Sequence, residues 1–189
     1  MPKAGPPVAG RLLSVPCADM DLVEIGQDGA LSAEAGPLPD VARSAVESTV
    51  QLYSKVGWSR PWIGYLAFEG GACVGTCAFT HAPRDGGVEI AYFTFPGGEC
   101  RGVATRMAGR LVSLARVSAP EVSITAHTLP HENASTRVLR KLGFLLVGPA
   151  VHEMDGQIWV WRMADTAPDR PGPACAPVSA PLGRERRPR

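Results

Sequence analysis

The chain has 189 residues, 45% hydrophobic and 20% charged, the proportions of a packed globular domain and not of a disordered chain. Nineteen Lys+Arg against eighteen Asp+Glu leave a formal charge of +1, which lacks the strongly basic footprint of a dedicated nucleic-acid binder. No apolar run approaches the roughly 20 residues of a membrane span, and the Met1-Pro2-Lys3 start has no apolar core of a secretory signal. Twenty-one Gly and eighteen Pro are high for a packed domain, so their positions matter. Residues 1–10 hold three prolines, and 164–189 is an Ala/Pro/Arg segment without hydrophobic period, with five Arg against three acids. Both stretches read as flexible tails that bury too little apolar surface to offset their ordering entropy, leaving 11–163 as one domain. The five cysteines (Cys17, Cys73, Cys77, Cys100 and Cys175) are odd in number and irregularly spaced, which fits reduced thiols in a cytoplasm. Cys73 and Cys77, four apart in a strand-like run, are expected to share a buried face.

In chain order, Arg11–Val15 and Asp21–Ile25 read as short strands. Pro39–Val56 is helical, with Val41, Ala45, Val46, Val50 and Leu52 at helical spacing and Gly57 at its end. Trp62–Phe68 and Ala72–Thr80 read as two strands split by Glu69-Gly70-Gly71, and Val88–Phe95 as a third. From Gly102 to Val117 the period changes, and Val103, Met107, Leu111 and Leu114 make a helical apolar stripe. Val122–His127 is a short strand, Ala134–Leu142 a helix stopped by Gly143, and Phe144–Val151 with Gln157–Met163 a closing strand pair around Met154-Asp155-Gly156. Strands followed by strand–helix–strand–helix–strand–strand define a mixed α/β or α+β sheet layered with helices.

The chemistry concentrates in Glu99-Cys100-Arg101-Gly102-Val103-Ala104-Thr105, between a strand and a helix. A Gly-rich turn opening a helix presents unpaired N–H groups at the positive end of the dipole, a combination suited to phosphate, and Arg101 adds a cation. An ordinary strand-to-helix turn has the same outline. The Gly-Lys-Ser/Thr ending of a nucleotide-triphosphate loop is missing, as is a GxGxxG dinucleotide fingerprint.

Val88-Glu89-Ile90-Ala91-Tyr92, Pro96 and Glu99 to Thr105 together resemble the acetyl-CoA-binding motif of the GCN5-related N-acetyltransferase (GNAT) superfamily. Ala126-His127-Thr128-Leu129-Pro130, Asn133-Ala134-Ser135 and Arg137 to Phe144 resemble its second motif, in the version of the RimJ/RimL-type branch that acetylates ribosomal-protein N-termini. The resemblance implies a mostly antiparallel central sheet flanked by helices, with acetyl-CoA as cosubstrate, no metal, and a primary amine (a protein N-terminus or a small amine) as acceptor. It implies that Gly102, Val103, Ala104, Thr105 and Arg101 hold the pyrophosphate, and that backbone N–H groups at Phe93, Thr94 and Phe95 meet the pantetheine arm and the thioester oxygen. It makes Glu89 the base, directly or through water, although a strand carboxylate in an ion pair would look the same. Many members carry a Tyr four residues before the second motif's Gly; here Leu139 stands there, and Ser135 is the branch's alternative acid. Asn133 is implied to bond the pantetheine or the acceptor, and it lies one residue nearer Ser135 than the commoner spacing, so Glu132 takes the usual Asn register. Asn133 and Ser135 equally suit helix capping.

A catalytically idle acyl-CoA-binding module and a Cys100 acyl carrier are the rival readings. His81, His127, His131 and His152 have no metal-ligand spacing, and His131 is a secondary acid/base candidate. Trp58, Trp62, Trp159 and Trp161 are candidates to line an acceptor site, but Trp159 and Trp161, two apart on a strand, share a face and suit packing better. A cytoplasmic enzyme without nucleic-acid or membrane partners is expected, and a homodimer is left open.

Overall fold

The computed structural model describes residues 20–33, 36–153 and 156–164. The strand expected at Arg11–Val15, both tails apart from Ala164, Met154, Asp155, Cys17 and Cys175 lie outside the described residues. The elements are β1 (Met20–Glu24), α1 (Asp40–Val56), β2 (Gly64–Glu69), β3 (Ala72–Phe79), β4 (Gly87–Thr94), α2 (Val103–Ser118), β5 (Ser123–Thr128), α3 (Ala134–Lys141), β6 (Phe144–His152) and β7 (Gly156–Met163). β2 begins two residues later than the pattern Trp62–Phe68 predicts. Trp62 and Ile63 spend their N–H groups on turn bonds to Ser59 and Pro61, so the ladder starts at Gly64.

Seven strands form one sheet in the order β1-β2-β3-β4-β5-β7-β6. Every neighbouring pair is antiparallel except β4–β5, which is parallel. A Cβ at Gly64 would meet Thr49 of α1, and one at Gly75 would meet Met107 of α2. Gly64 pairs with Ala78, three residues from Gly75 along β3, so the two positions point to opposite faces. α1 therefore covers one face and α2 the other. α3 packs beside α2 and also touches β5 and β6.

The core between sheet and helices holds Phe79, Leu66, Ile90, Met107, Leu111, Ile124, Leu139 and Phe144, all essentially buried. Each such side chain contributes about 1.5–3 kcal/mol through burial. Trp161 is buried as well, and its indole N–H donates to the Thr128 hydroxyl at 3.0 Å. Trp159 shares its face, ring centroids 6.4 Å apart, so the pair packs as its spacing predicts. Cys73 and Cys77 depart from expectation. The β2–β3 register shifts between Ala67 and Phe68, and this bulge reverses the alternation. Cys77 is buried, which pushes its thiol up to about 12, while Cys73 is half-buried on the other face.

Candidate active site

The parallel pair supplies the frame. β4 and β5 pair at Gly87↔Ser123, Val88↔Ile124 and Glu89↔Thr125, and then part. Beyond Glu89, β4 stays bonded to β3, and beyond Thr125, β5 continues only with β7. The two edges therefore enclose a gap that widens toward the C-terminal end of β4. Phe95 N–H donates to Val74 O at 2.9 Å, and Glu89 O accepts from Thr80 N–H at 2.9 Å. Odd-numbered residues of β4 thus turn their backbone groups to β3, and alternation turns those of Tyr92 and Thr94 into the gap. This corrects the expectation at Phe93 and Phe95, because both direct their N–H groups toward β3. Thr94 has the expected orientation, and Tyr92 joins it.

At the wide end stands the start of α2. Gly102 is its N-cap at φ 77°, with no side-chain cap and no acid in the first turn. The first intrahelical bond runs from Arg106 N–H to Gly102 O, so the amides of Val103, Ala104 and Thr105 precede the ladder as open donors. A cleft of about 370 Å³ lies over them, walled by Thr94, Gly98, Cys100, Val138, Arg137 and Lys141 among others. Of the expected cofactor residues, Thr94, Gly102, Val103, Ala104 and Thr105 line this cleft; Phe93, Phe95, Arg101 and Asn133 do not. Its cations are instead Arg137 and Lys141, four apart on α3, a placement that follows from α2–α3 packing and has no local sequence signal. Glu99 also borders the cleft, with its carboxylate engaged by Gly97 N–H at 2.8 Å. Arg106 anchors the loop: Nε donates to the buried Glu69 carboxylate at 2.7 Å and a terminal nitrogen to Arg101 O at 3.0 Å.

Asn133 opens α3. Its side-chain oxygen accepts from Thr136 N–H and the Thr136 hydroxyl accepts from Asn133 N–H, both at 3.1 Å, while its amide donates to His131 O at 3.0 Å. Both ends of the side chain are thus engaged, the oxygen in capping α3 and the amide in the loop before it. Glu132 forms a two-pronged pair with Arg140, at 2.6 Å on each prong, which holds its carboxyl down at about 2. Ser135 is half-buried in the first turn, and its carbonyl accepts from the Tyr92 hydroxyl at 3.3 Å. That phenol bridges the gap from β4 to α3, and burial pushes it up to about 12. Leu139 is fully buried.

Glu89 lies on the opposite face, the one carrying α1, since its neighbours Val88 and Ile90 point to the α2 side. Thr125 and His127 of β5 share this face, and His127 Nδ1 stands 3.1 Å from Glu89 Oε1. His152 of β6 is next, its ring 6.1 Å from that of His127. The sequence offered no reason to join these residues, which meet only through the parallel register. Between α1 and the sheet lies a second cleft of about 270 Å³, lined by Ser48, Thr49, Leu52, Thr76, Ala91 and Phe93 among others. Trp58 lines a separate hollow of about 590 Å³ near β1, and Trp62 packs edge-on against Phe79, so neither borders this cleft. His131 is exposed, and His81 Nδ1 contacts Ala82 O at 2.8 Å. Among the described residues no group of three or more His, Cys, Asp or Glu is arranged to hold a metal, and no helix is long and apolar enough to cross a membrane.

Comparison with known proteins gives the same picture. RimL, an alpha-N-protein acetyltransferase of a ribosomal protein solved with coenzyme A, superposes at TM-score 0.52 and 16% identity, over 68% of this chain and 74% of that one. The ribosomal-protein-alanine acetyltransferase of Vibrio fischeri gives 0.52 and 14%, over 70% and 78%. The self-immunity acetyltransferase MccE, bound to acetyl-CoA and AMP, gives 0.52 and 12%, over 65% and 69%. At these identities the likeness is one of fold. No curated protein matches the chain by sequence. The model of the acetyltransferase (GNAT) domain matches residues 13–145, across both motifs and the splayed strands. The chain belongs to that family, and is an acetyl-CoA-dependent acyltransferase.

Proposed function

We propose that the chain transfers acetyl from acetyl-CoA directly to a primary amine, a protein N-terminus or a small amine, within residues 11–163. The observation that carries the reading is the parting of β4 and β5 after Glu89 and Thr125. It leaves a strand edge on which a pantetheine arm pairs like an added strand, between an anion-ready helix start and a carboxylate. The amides of Val103, Ala104 and Thr105, with Arg137 and Lys141, receive the phosphates. The Thr94 and Tyr92 N–H groups are the donors for the arm and for the oxygen that gains charge as the amine attacks. Ser135, beside the gap, is the candidate proton donor to the departing thiolate. Asn133 serves by holding the helix on which Ser135 and Arg137 stand.

The nucleophile must be neutral. A lysine-type amine of pKa about 10.4 is neutral in roughly one molecule in 2,500 at pH 7, a deficit of about 4.6 kcal/mol, whereas an α-amino group near 8 loses only about 1.4 kcal/mol. Glu89, on the acceptor face, is the charge that draws the proton away, directly or through a carrier. The cleft beside it is small and lined by hydroxyls and apolar groups, which suits a small uncharged first residue or a small amine. A cytoplasmic setting follows from the thiol reading. The test is a panel of N-terminal peptides, lysine peptides and small amines with acetyl-CoA, read as free thiol. Thiol release that depends on an amine supports transfer; acetyl-CoA binding without release with every amine makes the chain an idle acyl-CoA-binding module.

A further inference from the structure

We propose that His127 is the group that takes the amine proton, with Glu89 as the positioning residue behind it; this rests on the acetyl-transfer reading above. The strand geometry separates the two residues. Glu89 belongs to the last β4–β5 pair, whereas His127 is the next residue of the same face of β5, past the point where the strands part. Two residues of strand carry it about 6.6 Å further along the wall of the gap. The carboxylate stands 3.1 Å from Nδ1 of the ring. A negative charge there favours the tautomer with its proton on Nδ1, because a lone pair facing the carboxylate would repel it. The lone pair is then on Nε2, which is the form an acceptor needs. When Nε2 gains a proton, the same carboxylate stabilises the imidazolium, as the acid of a carboxylate–imidazole pair does.

The surroundings suit this role. The side chains of His127 and Glu89 are 29% and 22% exposed, open to a substrate yet shielded from bulk solvent on most sides. The His152 ring flanks His127 from β6, and Val160 is its partner on β7. Arg162, which pairs with Thr125, is exposed. In the step, the amine nitrogen attacks the thioester carbonyl, the C–N bond forms and the C–S bond breaks. One N–H proton passes to His127 Nε2, and the leaving thiolate takes up a proton to give free coenzyme A.

The experiment uses the full chain, acetyl-CoA and the best amine of the panel. H127A is expected to lower kcat about 100-fold, within the range of a lost general base, with the acetyl-CoA KM and the thermal midpoint unchanged. Imidazole added to the buffer should restore turnover in H127A and not in E89Q, a rescue that a structural role would not show. H127Q, which keeps a donor toward Glu89, should stay as slow as H127A. Wild-type turnover in H127A alongside an inactive E89Q overturns the inference and leaves acetyl transfer standing, with Glu89 as the base. Loss in H127A that imidazole does not restore and H127Q does also overturns it. A wild-type chain that releases no thiol with any amine overturns both readings.

Discussion

Replacing Gly102 by alanine and by glutamate separates the backbone role of the α2 start from its role toward phosphate. Gly102 sits at φ 77°, in the left-handed region, where a Cβ costs about 1–2 kcal/mol. That Cβ would lie 3.2 Å from a guanidinium nitrogen of Arg106, whose head is already tied to Arg101 O and Glu69. At about 2–4 °C per kcal/mol for a domain of this size, G102A should lower Tm by roughly 2–8 °C. G102E carries the same backbone cost and adds a carboxylate beside the phosphate position. At about 4 Å from one phosphate charge the repulsion is about 1 kcal/mol in water and about 4 kcal/mol at an effective dielectric near 20. The cleft is open on one side, so the loss of acetyl-CoA affinity should fall between about 5-fold and 1,000-fold. Calorimetric titration at two salt concentrations reads the affinity, and thermal melts read the backbone cost. A G102E chain with a lowered Tm and wild-type affinity would refute the assignment of the loop.

Further consequences follow from the packing of α3 and the sheet. N133A removes the side-chain capping bond to Thr136 N–H and the amide bond to His131 O, and should cost about 1 kcal/mol, lowering Tm by about 2–4 °C with acetyl-CoA affinity unchanged by titration; lost affinity at an unchanged Tm would return Asn133 to the ligand. Arg140 holds the Glu132 carboxyl at about 2, below its ordinary value of 4.5, so the pair stabilises the fold above that value and the contribution is lost as pH falls through about 2. The Tm difference between wild type and E132Q should therefore shrink between about pH 4.5 and 2, and a constant difference would contradict the ion pair. In G75A the new Cβ would lie 2.7 Å from the Phe93 carbonyl oxygen and 2.8 Å from Met107 Sδ. Overpacking of that kind costs about 1–3 kcal/mol, visible as an earlier denaturant midpoint; a wild-type midpoint would mean that β3 and α2 yield more easily than their packing implies.

Much of the architecture was legible because local signals agreed with each other. The helical stripes of α1, α2 and α3, with Gly57 after α1 and Gly143 after α3, put their ends within one or two residues of the observed ones, and both motifs stood at the right strand–helix junctions. The features that escaped depend on register. Which amides of β4 face the gap is decided by the phase of its pairing with β3, visible only once Phe95 N–H is seen on Val74 O. The opposite facing of Cys73 and Cys77 comes from one bulge, which period-2 counting cannot detect. Glu89 and His127 are 38 residues apart in sequence and meet because one parallel pair sets their strands side by side. Arg137 and Lys141 read as ordinary charged positions of a short helix until α3 is packed against α2. Asn133 shows the opposite case: two roles suited it in sequence, and its bonds to Thr136 N–H and His131 O engage both ends of the amide.

The most direct test of the central claim is the acetyl balance of a single turnover. The chain is loaded with one equivalent of isotopically labelled acetyl-CoA and mixed with an accepted amine, and label is followed by mass spectrometry on amine and protein. Direct transfer predicts one labelled acetyl on the amine for each thiol released, none on the protein at any time, and the same result in C100A. Label that appears first on Cys100, or acetyl-CoA that stays intact while bound, would contradict it.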